Sequence, residues 1–121
     1  MRVIRALRGA TQLTADDPAE MTDAVVELVT AMLDRNGLST DDLISVIFTS
    51  TPDLTSAFPA AAARTLGIGD VPLLCAQELD IDGALPRVVR VMAHAALDSP
   101  RADVVHVYLR GAEALRLDLA Q

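Results

Sequence analysis

The chain has 121 residues, is 51% hydrophobic and carries a net charge of −7 at pH 7, which fits one folded domain over residues 1–121 rather than a disordered chain. The acidic balance disfavours nucleic acid as a partner, because nucleic-acid binding needs a positive surface. No apolar run reaches the roughly 18 residues of a membrane span, and Cys75 is the only cysteine. We therefore expect a cytoplasmic protein without a disulfide and without a membrane partner.

The first predicted element is a strand over residues 2–8, which Gly9 would end. Residues 18–35 form the clearest helix, because Asp17 is a good N-cap and Pro18 suits the first helical position. Spacings of four, three and four residues give that helix one apolar face, made of Met21, Val25, Leu28 and Met32.

The rest of the chain predicts four strands and a second, short helix. The strands are residues 44–49, 71–77, 87–97 and 104–110, and the short helix is residues 58–67. Residues 87–97 are ambiguous, since the Val-rich first half favours a strand and the Ala-rich second half favours a helix; we interpret them as a strand. The order β-α-β-α-β-β-β predicts an α/β domain with a mixed β-sheet, one long helix and one short helix.

The sequence lacks the motifs of most kinds of catalytic chemistry. The sequence has no Walker motif, no dinucleotide-binding fingerprint, no CxxC and no nucleophile elbow. Two histidines, His94 and His106, are too few for a convincing zinc site and are interpreted as structural. The run ELDIDG at 78–83 resembles the start of a calcium loop but lacks the third acidic ligand, so it is interpreted as an acidic turn. We expect no cofactor and no metal.

Arginine is the unusual feature of the composition. All ten basic residues are arginines, and arginine binds carboxylates through two parallel hydrogen bonds. Arg90 lies inside the apolar run VVRVMAHAA at 88–96, where a charged guanidinium needs a partner. Taken alone, Arg90 is consistent with an interface or edge-strand arginine paired with a carboxylate, or with a catalytic cation.

Four segments together resemble a known family. They are RGAT at 8–11, TPDLTSAFPAAAAR at 51–64, CAQELDIDGALPRVVRVM at 75–92 and HVYLRGAEALRLDL at 106–119. In this order and at these intervals they resemble the trimeric α/β class of monofunctional chorismate mutase, which is distinct from the all-helical class. The resemblance implies a barrel-like homotrimer with its sites at subunit interfaces. It also implies an isomerase of aromatic amino-acid biosynthesis that converts chorismate to prephenate by a Claisen rearrangement, without a cofactor.

The same resemblance implies a role for each site residue. Arg90 would face the ether oxygen on which negative charge grows as the C–O bond breaks. Arg8 would bind a substrate carboxylate, with the hydroxyl of Tyr108 as its helper. Glu78 and Cys75 would meet the ring hydroxyl, and the Glu78 carboxylate would also steady positive charge on the ring as a fixed charge rather than a general base.

Further residues would complete and close the pocket. Phe58 and Arg64 resemble residues supplied by the neighbouring subunit, and Arg64 would close the pocket with Leu115 and Arg116 of the C-terminal tail. Ala61 departs from the family pattern, because a lysine often follows Phe-Pro-Ala there. We expect this change to weaken substrate capture without removing the chemistry.

Alternatives stay open at this point. The same fold with Arg8, Arg64 and Arg90 is also consistent with a non-catalytic trimer that senses a small carboxylate. Three site residues have structural interpretations of their own: Cys75 as a small buried hydrophobic residue, Glu78 as a solvated turn residue, and Tyr108 as an ordinary boundary residue.

Overall fold

The computed structural model describes residues 2–115 as one mixed five-stranded sheet with helices on one side. The elements are β1 (Val3–Gln12), α1 (Pro18–Arg35), β2 (Leu43–Ser50), α2 (Ala63–Leu66), β3 (Leu73–Gln77), β4 (Val88–Leu97) and β5 (Val107–Leu109). The strand order is β3-β2-β4-β1-β5, with β4 antiparallel to β1 and β2, and with the pairs β2–β3 and β1–β5 parallel. The predicted mixed α/β fold and its element order are confirmed. No helix within the described residues is long and apolar enough to cross a membrane.

Helix α1 forms where its caps and apolar face predict it. The Asp17 carboxylate accepts a hydrogen bond from the N–H of Glu20 at 2.9 Å, which satisfies one of the free N–H groups of the first turn. Pro18 occupies the start of the helix, where its missing N–H costs nothing. The buried face of α1 contains the four residues predicted from spacing, with Ala24, Val29 and Leu33 beside them.

Gly9 has a different role from the predicted one. Strand β1 continues through Gly9 to Gln12, so the prediction of a strand that ends at Gly9 is wrong. A Cβ atom on Gly9 would lie 2.5 Å from Sδ of Met32 and 3.0 Å from Cδ1 of Leu28. Glycine is therefore needed so that α1 can approach the sheet closely, rather than for a turn.

The two faces of the sheet differ in what covers them. Every second residue of β4 is buried in the core that α1 shares, and these residues are Val89, Val91, Ala93, Ala95 and Leu97. The alternating side chains lie on the other side, which we call the open face. It is defined by Arg8, Ala10, Thr49, Arg90 and Met92, which pair across β1, β2 and β4. Among the described residues no helix of more than one turn covers this face, and the 3₁₀ turn Arg110–Glu113 packs at one corner of it.

Two further differences from the predicted elements have local causes. Strand β5 is shorter than the predicted 104–110 at both ends. Before it, the Val105 backbone bonds the Asn36 side chain instead of β1; after it, Arg110 adopts a positive φ of 57° and turns the chain into the 3₁₀ turn. The short helix predicted over 58–67 consists of a 3₁₀ turn, Pro59–Ala62, followed by α2, and Gly67 ends it with a φ of 74°. The ambiguous segment 87–97 is confirmed as a strand, β4.

Candidate active site

Arg90 lies on the central strand of the sheet. On β4 it is directly opposite Ala10 of β1 and Thr49 of β2, so it occupies the middle of the open face. The interpretation as an edge-strand arginine is therefore wrong. Its side chain is 44% exposed, which leaves the guanidinium accessible to a ligand from the uncovered side.

Glu78 is the carboxylate partner of Arg90. The Arg90 Nε lies 3.2 Å from Oε1 and 3.1 Å from Oε2 of Glu78. The hydroxyl of Thr49 donates a hydrogen bond to Oε2 at 2.5 Å, and the backbone N–H of Glu78 donates to the carbonyl of Ser50 at 2.9 Å. The Glu78 side chain is only 17% exposed. Glu78 is thus fixed by its backbone, by the Thr49 hydroxyl and by the Arg90 guanidinium. This fixed and mostly buried carboxylate does not fit the alternative of a solvated turn residue.

Two arginines and a tyrosine line one small cavity on the open face. Its volume is about 180 Å³, and its lining residues are Arg8, Gly9, Ala10, Ile47, Thr49, Arg90, Val91, Met92 and Tyr108. We call it the arginine cavity. Tyr108 lies opposite Ala10 on the neighbouring strand, in the same row of the sheet as Arg90. Within residues 2–115 the Arg8 guanidinium has no ion-pair partner, so the cavity suits a small, negatively charged ligand.

Phe58 and Cys75 line a second cavity. It has a volume of about 340 Å³ and includes Leu54, Ala57 and Gln77; we call it the Phe58 cavity. Cys75 is opposite Phe48, whose side chain belongs to the helix-side core, so Cys75 lies on the other side of the sheet from Arg90. Within one chain the structure therefore does not bring Cys75 to the arginine cavity. Cys75 is exposed, which does not fit the alternative of a small buried hydrophobic residue.

The other predicted site residues are spread around these cavities. Arg64 on α2 and Ala61 on the preceding turn are both exposed. Leu115 is partly buried and packs against the small cluster that contains Tyr108. Arg116 lies outside the described residues. No group of three or more His, Cys, Asp or Glu residues within the described range is arranged to hold a metal ion.

Sequence reasoning missed two residues that contact the predicted site. Thr49 holds Glu78, as described above, and His106 accepts a hydrogen bond at Nδ1 from the backbone N–H of Arg8 at 3.0 Å. Burial, and then the positive charge of Arg8, lower the pKa of His106 below its usual value. The strand register across the sheet is the signal that would have found both residues, and the register is not visible in local patterns.

Together, the fold and the open face define a class of protein. It is a small α/β enzyme that places two arginines and a carboxylate at a small cavity, and its described residues include no cluster that could hold a metal ion. The chain belongs to the chorismate mutase type I family, whose family model matches residues 4–119. The resemblance carried by the four sequence segments is thereby confirmed.

Individual relatives agree with this assignment. The chain is 50% identical over 118 residues to chorismate mutase AroH of Thermus thermophilus, with 97% of each sequence covered. It is 36% identical over 119 residues to chorismate mutase AroH of Bacillus subtilis (strain 168), covering 98% of this chain and 94% of the relative. A solved chorismate mutase from Clostridium thermocellum superposes with a TM-score of 0.89 at 43% identity, covering 91% of this chain and 98% of that one.

Proposed function

We propose that this protein converts chorismate to prephenate at the arginine cavity, as an isomerase of aromatic amino-acid biosynthesis. One C–O ether bond of the substrate breaks while a C–C bond forms within the same molecule, so the reaction needs no proton transfer, nucleophile or cofactor. The observation that carries the proposal is the Arg90–Glu78 ion pair at the edge of a cavity that also contains Arg8. Family membership and the names of the relatives support the reaction.

Arg90 acts on the ether oxygen. The Glu78 carboxylate engages Nε of Arg90, which sets the plane of the guanidinium and leaves its tip for the substrate. Negative charge grows on the oxygen only as the C–O bond lengthens, so a fixed cation stabilises the transition state more than the ground state. Removing one preorganised donor of this kind costs about 3–4 kcal/mol of transition-state stabilisation.

Arg8, Tyr108 and Glu78 bind and orient the rest of the substrate. Arg8 and Tyr108 flank Ala10 in the arginine cavity, and together they supply a cation and a hydroxyl for a substrate carboxylate. Glu78 serves as a hydrogen-bond acceptor for the ring hydroxyl and as a fixed negative charge near the electron-poor ring. The substrate is a dicarboxylate, which explains why an acidic protein has a local positive site.

The site is completed by a neighbouring subunit in a homotrimer. Phe58 is 74% exposed and Cys75 is exposed, yet both line a cavity that is separate from the arginine cavity within one chain. Exposed apolar side chains on the open side of the sheet, Ile4 and Leu74 among them, support association of several copies. In the trimer, Phe58, Cys75 and Arg64 of one subunit close the arginine cavity of the next.

The single cysteine suits a reducing, cytoplasmic location.

A turnover assay tests the proposed reaction. Purified protein, with a chelator and without added cofactor, should consume chorismate and release prephenate far faster than the uncatalysed reaction. A rate equal to the background, from protein that is folded and associated, would contradict the proposal. The assay also separates an enzyme from a carboxylate sensor, because a sensor does not convert chorismate. The Glu78 carboxylate fixed against Arg90 favours the enzyme, since a sensor has no need of it.

A further inference from the structure

We propose that His106 is a positioning residue for Arg8, and that its protonation weakens substrate capture at acid pH. The inference rests on the proposed function, because it assumes that Arg8 binds a carboxylate of the substrate. It concerns a histidine whose sequence context indicated only a structural role.

His106 lies just before strand β5, and its side chain accepts the hydrogen bond that a backbone carbonyl of a paired strand would accept. Parallel pairing of β1 with β5 starts at Gly9 and Val107, one residue beyond Arg8 and His106. At this position the Arg8 N–H donates to the imidazole Nδ1 at 3.0 Å rather than to a backbone carbonyl. The ring therefore satisfies the backbone of the residue that presents its guanidinium to the arginine cavity.

The geometry requires a neutral imidazole. A nitrogen that accepts a hydrogen bond carries no proton, so Nδ1 is bare and the ring proton resides on Nε2. Arg8 is the charged group that faces the ring from β1, and its charge adds to burial in disfavouring the imidazolium. From the end of α1 the neighbouring group is Asn36, which is uncharged and exchanges two hydrogen bonds with the backbone of Val105, at 2.8 and 2.9 Å. The ring is therefore held in its neutral form by the Arg8 N–H, while Asn36 fixes the backbone of the residue before it.

Protonation reverses this arrangement. An Nδ1–H would point at the Arg8 N–H, so the hydrogen bond would be lost and two donors would face each other. A second positive charge would also stand beside the Arg8 guanidinium. The backbone of β1 at the cavity would shift, and the Arg8 contact with the substrate carboxylate would weaken. Because Arg90 lies on β4 and Glu78 follows β3, neither is on β1, so KM should rise while kcat changes little.

Two substitutions at His106 distinguish positioning from a general structural role. In His106→Asn, the side-chain oxygen takes the place of Nδ1 as an acceptor and does not titrate. In His106→Leu, a side chain of similar size has no acceptor at any pH. The matched control is His94→Asn, which changes the other histidine of the chain, whose Nδ1 lies 3.3 Å from the Ser45 hydroxyl.

The measurement is kcat and KM for chorismate from roughly pH 5 to 8, the range in which histidines titrate. The wild type and His94→Asn should show a KM that is flat near neutrality and rises towards acid. His106→Asn should keep the neutral KM and lose that acid rise. His106→Leu should raise KM at pH 7.5 about twofold to tenfold, the range for one lost hydrogen bond, with kcat within about twofold. An acid rise that persists in His106→Asn, or an unchanged KM in His106→Leu, would overturn the proposal.

A nitrogen NMR measurement tests the same inference without turnover. In the wild type, the His106 imidazole should show a protonated Nε2 and a bare Nδ1 at pH 7.5, and the Arg8 amide resonance should move as the ring titrates. A ring with the proton on Nδ1, or an Arg8 amide resonance that does not move as His106 titrates, would refute the positioning role. Absence of chorismate turnover in the wild type would instead refute the proposed function, so the two failures are distinguishable.

Discussion

The carboxylate of Glu78 holds the Nε of Arg90 at 3.1 and 3.2 Å, although Glu78 directly follows β3 and Arg90 lies within β4, beyond the intervening loop. The Glu78 backbone is fixed to Ser50 of β2, and Arg90 lies on β4, the neighbour of β2 on its other side. Strand β2 is therefore the common support of both charges. This arrangement explains how the cation is oriented before any substrate binds.

A substitution at Thr49 tests whether strand β2 supports the Glu78–Arg90 pair. Its hydroxyl donates to Oε2 of Glu78 at 2.5 Å, so Thr49→Val should let the carboxylate turn and loosen Arg90. We expect kcat to fall about tenfold, the kinetic equivalent of one hydrogen bond to a charged group. The control is Thr49→Ser, which keeps the hydroxyl and should stay near wild type. Equal kcat values for the valine and serine variants would rule out the role of Thr49.

Leu74 tests the proposed association of subunits. It lies on β3 opposite Ile47, on the open side of the sheet, and is 68% exposed in one chain. Leu74→Arg would place a charge in an apolar interface, so the mass in solution should fall from about three chains to one, with turnover lost in parallel. The control Thr30→Arg, on the exposed side of α1, should leave the mass unchanged. A trimer that survives Leu74→Arg would exclude Leu74 from the interface, and a wild type that is monomeric and active would contradict the composite site.

Asp16 ties the loop before α1 to the loop that precedes Phe58. Its carboxylate accepts hydrogen bonds from the backbone N–H groups of Thr55 and Ser56 and from the Thr55 hydroxyl. Hydrogen bonds from Ser56 and then Thr55 lower the pKa of Asp16 from 3.8 to about 2. The folded state therefore prefers the ionised form, so the stabilisation is complete above the unfolded pKa and is lost as pH falls from about 4 to 2.

Urea unfolding of Asp16→Asn at several pH values measures this contribution. The variant should be less stable than wild type at pH 6, and the difference should shrink as pH falls below about 4. Asp70→Asn, at an exposed loop position, should show no such convergence. A difference between wild type and Asp16→Asn that stays constant over this range would mean that the hydrogen bonds do not depend on the charge.

Gly9→Ala tests the close approach of α1 to the sheet. The added Cβ would lie 2.5 Å from Sδ of Met32 and 3.0 Å from Cδ1 of Leu28, and both side chains are buried. Overpacking of this kind costs about 1–3 kcal/mol in the free energy of unfolding. Gly69→Ala is the matched control, because a Cβ there meets nothing within 4 Å. Similar stabilities for the two variants would show that Gly9 is not required for packing.

Structural features that depend on residues close in the chain were predictable from the sequence, and contacts between residues far apart in the chain were not. Helix α1 follows from a local cap and an apolar spacing, so its bounds were predicted correctly. Gly9 does not end β1 as predicted, because the side chain that requires a glycine there, Met32, lies on an element 23 residues away. Thr49 and His106 were missed because their partners are 29 and 98 residues away in the chain, and only the sheet register brings them together.

The end of strand β5 is a second case in which a contact with a distant element was not predictable from the local sequence. Local alternation predicted that the strand extends to residue 110. Arg110 instead takes a positive φ, which is uncommon outside glycine, while its side chain forms ion pairs with Glu20 and Glu27 of α1. Contacts with a distant helix accompany the end of the strand, and no pattern within residues 104–110 contains that information.

The most direct test of the central claim is the kcat of Arg90→Ala for chorismate, measured beside Arg35→Ala, which removes an exposed arginine from the last turn of α1. If Arg90 stabilises the breaking C–O bond, kcat should fall by at least about 10²–10³-fold in Arg90→Ala and stay near wild type in Arg35→Ala. Circular dichroism and the mass in solution should be unchanged in both variants. A kcat within about threefold of wild type in folded Arg90→Ala would contradict the claim that this arginine performs the electrostatic catalysis.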